Sequence, residues 1–202
     1  YRPINAKNKV KYYFINKIGA QKMNLDKQVK FKDFCLDGLT YDLSHLDAQV
    51  IEYEQPAKDD KKPIKYKFYV TYSMHCFTKD YDHYSQADRA KLMYKTSLEE
   101  RPFCKVRYEL SKKLPEIISN LASKKIGFAG YDNFANIEIF DEEKEKIIYY
   151  KVVFTVYRHE KKFRLHVISA YPIDNWEKLK PVGFFKLAHN LVKGKKLPTP
   201  QK

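Results

Sequence analysis

Several features that would settle a function are missing from this chain. Its 202 residues carry three cysteines, Cys35, Cys76 and Cys104, an odd number and too few for a disulfide scaffold, so a reducing cytoplasm is the expected setting. No apolar stretch approaches the ~20 residues of a spanning helix, and no charged n-region followed by an apolar h-region opens the chain. No membrane segment is expected. The chain opens on Tyr1 rather than methionine, and Met23 is an alternative start. There is no Gly-x-x-x-x-Gly-Lys and no Gly-x-Gly-x-x-Gly, which removes the usual nucleotide-phosphate loops. Cys-x-x-Cys and His-Glu-x-x-His are also missing. A site on His75, Asp80, Asp82 and His83 has no mechanical justification in its spacing. Zinc on His75, Cys76 and Cys104 would need neighbouring ligands that point to opposite sides of a strand. No metal and no cofactor are expected.

Negative charge is short as well: 25 Asp and Glu stand against 39 Lys and Arg, for a net charge of +14 at pH 7. Such a protein concentrates polyanions and gains further from release of condensed counterions. Nucleic acid is the expected partner, RNA favoured over DNA. A solvated lysine-rich surface is the bland alternative, because Lys greatly outnumbers Arg. An anionic membrane would call for a basic amphipathic helix, and none of convincing length is present.

What is present is the material of a fold. Hydrophobic residues are 44% and charged residues 32% of the chain, a globular composition with enough length for one core. Aromatics are plentiful, 17 Tyr and 13 Phe beside a single Trp. Interleaved with lysine, as in Lys65-Tyr66-Lys67-Phe68-Tyr69, they are either stacking platforms beside phosphate contacts or strand residues filling a core.

Residues 1–24 read as a basic appendage with a candidate short strand at Tyr12–Ile15, 25–192 as a single domain, and 193–202 as a basic tail. Leu36-Asp37-Gly38-Leu39 reads as a turn, and Leu43, Leu46 and Val50 fit a short helix or irregular structure. Residues 64–74 alternate with period two, the signature of a half-buried strand. The stretch 79–100 reads as a long excursion, of the kind that tends to be functional. Leu110, Leu114, Ile117, Ile118 and Leu121 mark an amphipathic helix, which Pro115 tolerates only in its first turn. Strands follow at 134–140, 147–158 and 163–171, separated by charged turns. Phe184, Phe185, Leu187, Leu191 and Val192 indicate a short C-terminal helix. The expected fold is α+β: an antiparallel meander covered by one main helix, with short terminal elements.

Three clusters carry candidate chemistry. His75, Cys76 and Thr78 sit where an alternating strand runs out, and a histidine there can move protons in either direction near neutrality. The alternative is a hydrogen-bonded, partly buried histidine. Cys76 as a thiolate beside His75 is the weaker variant, since neighbours on a strand do not easily hydrogen-bond. Arg101 and Arg107, flanking Pro102-Phe103-Cys104, present planar forks suited to phosphate, or else pair with Glu99, Glu100 or Glu109. On the last strand, strict alternation groups Leu165, Val167, Ser169 and Tyr171 on one face, opposite His166, Ile168 and Ala170. Two hydroxyls at the strand's end could position a phosphate, or the strand simply finishes polar. Arg158, Lys161 and Lys162 in a hairpin turn, Lys186, and Lys193, Lys195 and Lys196 are the expected nucleic-acid contacts.

The order His75-Cys76-Phe77-Thr78, then Arg101-x-Phe103-Cys104-x-x-Arg107-Tyr108-x-Leu110-Ser111-x-x-Leu114-Pro115, then Ser169-Ala170-Tyr171 resembles a family of small bacterial proteins, some labelled for stationary-phase growth adaptation. That likeness spans about residues 64–175 and implies no activity. A looser likeness, of architecture alone, is to the barnase, EndoU, colicin and RelE-like ribonucleases and toxins. It implies that His75, Arg107, Ser169 and Tyr171 match the scattered sheet-face residues of that superfamily, although no compact diagnostic motif is present. The expected function is a metal-independent endoribonuclease of toxin or phage-defence type, with His75 as base, Arg107 and Arg101 on the phosphorane charge, and Tyr171 or Ser169 orienting the phosphate or protonating the leaving oxygen. The alternative is a non-catalytic RNA- or DNA-binding accessory or regulator of a mobile element. An interaction domain for an acidic antitoxin or inhibitor is the third expectation.

Overall fold

The computed structural model describes residues 30–57, 62–81, 83–97, 99–130, 133–142 and 146–198. The appendage expected over 1–24, its strand at Tyr12–Ile15 and the last residues of the tail lie outside this range.

Val, Ile, Tyr and Phe fill the alternating segments, and the protein is mostly β. Two short strands, β1 (Phe34–Leu36) and β2 (Leu39–Tyr41), form a hairpin. Its turn is the expected Asp37-Gly38, with φ of 49° and 79°, the left-handed pair that favours Asp-Gly. β3 (Gln49–Gln55) and β4 (Ile64–Tyr72) follow. After β4 come α1 (Gln86–Leu92), a small hairpin of β5 (Met93–Lys95) and β6 (Glu100–Pro102), α2 (Lys105–Ser111) and α3 (Leu114–Ser119). The chain then enters β7 (Ile126–Gly130), β8 (Asn133–Glu142), β9 (Lys146–His159) and β10 (Lys162–Ile173). It ends in β11 (Lys180–Val182) and α4 (Phe184–Val192).

The main sheet has seven strands in the order β11-β7-β8-β9-β10-β4-β3. Strands stand where residues 64–74, 134–140, 147–158 and 163–171 alternate, but the architecture expected from them is corrected. β10 pairs with β4 in parallel, Phe163 opposite Phe68 through Val167 opposite Tyr72, so the sheet is mixed and is no simple meander. Parallel partners need a long crossover, and here it contains α1 to α3 and β5 to β9. The single covering helix is also corrected. Leu110, Leu114, Ile117, Ile118 and Leu121 are all buried, yet the helix breaks between Ser111 and Leu114. Pro115 at the start of α3 has no N–H for the carbonyl of Ser111 and its ring crowds that carbonyl. The short helix allowed around Leu43 to Val50 is a 3-10 turn at Ser44–Leu46 that runs into strand β3.

One face of the sheet is the core. Phe68, Val70 and Tyr72 of β4, Val152, Phe154 and Val156 of β9, and Leu165 and Val167 of β10 are buried on it. α4 covers them through Phe184, whose ring lies 4.5 Å from Tyr53 and 5.7 Å from Phe68. α3 is tied on by the Tyr53 hydroxyl, which donates to the Ile118 carbonyl at 2.6 Å. Each such side chain contributes about 1.5–3 kcal/mol on burial. A second aromatic cluster, with Phe34 stacked on Phe103 at 4.6 Å and Phe77 edge-on to Tyr94 at 4.9 Å, joins the small hairpins to the end of β4.

The opposite face is polar, and a β-bulge decides what stands on it. Val167 and Ser169 oppose the consecutive residues Phe154 and Val153, so Ile168 is the extra residue and alternation restarts out of phase. Ser169 and Tyr171 therefore share the polar face with Arg164 and His166, not the core face with Leu165 and Val167 as strict alternation implied. Residues 174–179 cross this face from β10 to the far edge, with Trp176 on Tyr149, Glu177 ion-paired to Lys151, and Leu179 against Gly127. A Cβ on Gly127 would come within 2.0 Å of the Leu179 Cβ, so glycine is required where this strap passes.

Candidate functional site

β4 delivers its last residues beside the middle of β10. Ser73 donates its backbone N–H to the Val167 carbonyl at 2.9 Å, and its hydroxyl accepts from the His75 N–H at 3.2 Å, capping a 3-10 turn over Met74–Cys76. The turn aims the His75 imidazole away from the core, where Nε2 meets the Glu99 carboxylate at 3.2 Å with the ring 24% exposed. A carboxylate on one ring nitrogen fixes the ring's orientation and tautomer.

His166 comes close enough for the two rings to interact electrostatically. Its Nδ1 lies 2.9 Å from the Thr71 hydroxyl, its cross-strand partner. Burial, helped by the charge of His75, pushes its pKa down to about 4, so it is neutral at pH 7.

Arg107 of α2 gathers the rest. Its Nη1 donates to the carbonyls of His75 and Thr78, both at 2.9 Å, and its guanidinium lies 5.2 Å from the Tyr171 ring centroid. Its Nε is buried without a hydrogen-bond partner among the described residues. Burial draws its pKa down, opposed by Cys104 and reinforced by Arg101. With Lys79, Tyr81, Cys104, Val106, Tyr171 and Pro172 it lines a cavity of about 240 Å³.

Of the expected site residues, Arg107 meets the Tyr171 ring and the backbone carbonyl of His75, while the His75 imidazole is turned to Glu99 and is not part of the cavity lining. Ser169 stands two residues before Tyr171 on the same face. Thr78 is adjacent but fully buried, its hydroxyl donating to the Met74 carbonyl at 2.8 Å. Arg101 lies opposite Tyr94 in the β5–β6 hairpin and outside the cavity lining, although its charge reaches Arg107. Cys76 is fully buried and its thiol is pushed up to about 12 by desolvation, which rules it out as a thiolate at neutral pH. Thr71, His166, Tyr81 and the Glu99–His75 bond were not foreseen. His166 was legible in principle, as a polar residue between Leu165 and Val167 that alternation sends to the non-core face.

The expected nucleic-acid contacts divide between two places. Arg158, Lys161 and Lys162 occupy the β9–β10 hairpin, where Glu160 and Lys161 both take positive φ, 48° and 62°. The Lys162 ammonium lies 5.1 Å from the Tyr69 ring centroid. Lys186 is on the exposed side of α4, and Lys193, Lys195 and Lys196 follow it, also exposed.

Among the described residues no group of three or more His, Cys, Asp or Glu is placed to hold a metal ion, and no helix is long and apolar enough to cross a membrane. No solved structure matches the chain, so the likeness to ribonuclease toxins draws nothing from that comparison. Protein YjaZ of Escherichia coli (strain K12) is 45% identical over 167 residues, which cover 82% of this chain and 92% of that one. The YjaZ family model matches residues 22–192. The chain belongs to the YjaZ family.

Proposed function

We propose that the protein acts on RNA as an endoribonuclease that needs no metal, centred on His75, Arg107 and Tyr171. The observation that carries this reading is the double contact of Arg107, to the backbone of the His75 turn and to the Tyr171 ring. It ties the backbone of the turn that carries the Glu99-bound imidazole to a cation and a phenol beside β10. In that arrangement His75 takes the proton of a ribose 2′-hydroxyl. The 2′-oxygen attacks the adjacent phosphorus, forming a 2′,3′-cyclic phosphate and expelling the 5′-oxygen of the next nucleotide. Arg107 lies beside the charge that builds on the phosphoryl oxygens, and Tyr171 is placed to orient the phosphate or protonate the leaving oxygen. The test is incubation with cellular RNA in excess chelator. Cyclic-phosphate products that His75→Ala abolishes support the reading, and no cleavage by the wild type under any ion condition overturns it.

A second reading, binding without cleavage, draws on a specific observation. The Arg107 Nη1 is already engaged by two carbonyls and the Thr78 hydroxyl by a third, so two expected site residues hold the turn in shape. Binding alone gives an affinity that falls steeply between about 50 and 200 mM salt, with no product.

A further inference from the structure

Arg164 is the most anomalous residue of the polar face. It is 2% exposed, and both its Nε and its Nη1 are buried without a hydrogen-bond partner among the described residues. Nor does any carboxylate among them form an ion pair with it. An arginine so placed is expensive, because an unpaired buried charge costs more than its packing returns. Its neighbours in register are Tyr69 on β4 and Tyr157 on β9. The guanidinium lies 4.7 Å from the centroid of the Tyr69 ring, and the charge of Arg164 is felt at the Tyr157 phenol. A ring face attracts the cation but leaves the in-plane N–H groups unsatisfied. Lys162 is held 5.1 Å from the centroid of the same Tyr69 ring.

We infer that Arg164 anchors a phosphate subsite on the polar face, with Tyr157 as a platform for the ring of the same ligand. The ligand chemistry is a nucleotide unit: a phosphate to satisfy the guanidinium edge in bidentate fashion and a planar base to stack on a tyrosine. Tyr69, Tyr157 and Lys162 are half-buried, so the proposed ligand requires one of these side chains to move aside from the guanidinium. Two sources carry that unit, a free mononucleotide and an RNA chain. Only the RNA source rests on the reading that the protein acts on RNA.

The test titrates inorganic phosphate, adenosine 5′-monophosphate and a short oligouridylate into the full chain, followed by calorimetry and by melting temperature. Saturable binding of the mononucleotide, weakened about tenfold or more in Arg164→Met, supports the site with a free nucleotide as ligand. Binding of the oligonucleotide alone, with the same loss, supports it with RNA as ligand. Arg164→Met without ligand is expected to melt no lower than wild type, since it removes an uncompensated buried charge. Should that variant not fold, the Nε–Hε resonance of Arg164 in the wild type replaces it, and its movement during the titration reports the same contact. No response to any of the three ligands, or a response equal in wild type and Arg164→Met, overturns the proposal. Running the series in a His75→Ala background separates the two ideas: cleavage can fail while Arg164-dependent binding persists, and the reverse.

Discussion

Acidification offers a sharp test of the packing around His166. The imidazole titrates near its ordinary value of about 6.5 in the unfolded chain and at about 4 in the fold, chiefly because burial penalises the charged ring. A folded pKa below the unfolded one means that the unfolded state takes up the proton first. The stability tied to the neutral ring is therefore fully present above pH 6.5 and drains away as the pH falls towards 4. The shift corresponds to roughly 3 kcal/mol in total and about 2 kcal/mol by pH 5. Both are upper bounds, because the ring keeps some contact with solvent. Urea unfolding of wild type and His166→Gln at pH 7.5, 6 and 5 measures this directly. The glutamine still reaches Thr71 but does not titrate. The wild type is expected to lose up to about 2 kcal/mol more than the variant between pH 7.5 and 5. His75→Gln is expected to bring His166 part of the way back towards its ordinary pKa. If wild type and His166→Gln lose stability in parallel, the ring is not buried as described and the argument fails.

Gly127→Ala should force the strap over 174–179 off the sheet, because the new Cβ would lie 2.0 Å from that of Leu179. The expected cost is about 1–3 kcal/mol, and the lone tryptophan, Trp176, reports it. Unchanged emission and stability would show that the strap lies elsewhere. Replacing Glu160-Lys161 with Asn-Gly should stabilise the protein by about 1–2 kcal/mol, since both residues hold positive φ. The measure is a higher urea midpoint at constant slope. Tyr53→Phe should cost about 1 kcal/mol by removing the buried hydrogen bond from the hydroxyl to the Ile118 carbonyl, and a neutral result would place the hydroxyl in water.

The sequence carried local structure well and long-range structure poorly, and the reason is visible in particular residues. Each β-strand from 134 to 171 advertises itself by alternation, and the short charged segments between them in sequence favour the β8-β9-β10 order. Nothing in residues 64–72 says that their partner is 163–167. That pairing is set by the packing of Phe68 and Phe163 beneath α4, a fact about three distant segments. Ile168 shows how little it takes to mislead. One extra residue moved Ser169 and Tyr171 to the other face, and both Ser169-Ala170 and its surroundings read as ordinary strand. The helix over 110–121 was right in its buried positions and wrong in its continuity, although Pro115 had already given the reason. At the site, residue types and their order pointed to His75 and Arg107, but only the fold supplies the Glu99 bond and the proximity of His166.

The pattern of unmet hydrogen bonds joins these observations. Seven buried side-chain atoms among the described residues have no partner, and four of them are guanidinium nitrogens, of Arg101, Arg107 and Arg164. Carboxylates are not in short supply nearby, for Glu99 sits at His75. Elsewhere they are spent on exposed pairs such as Lys65–Glu52, Lys95–Glu100 and Lys112–Glu109, which contribute little to stability. A chain shaped for stability alone would bring acids to its buried arginines or replace those arginines with apolar residues. This one leaves N–H groups unmet on Arg107 of α2, beside Tyr171, and on Arg164 of β10, between Tyr69 and Tyr157, as well as on Arg101. If the proposed reading holds, the net charge of +14 would draw a polyanion towards the protein and the unmet guanidinium groups would be where its phosphates bind.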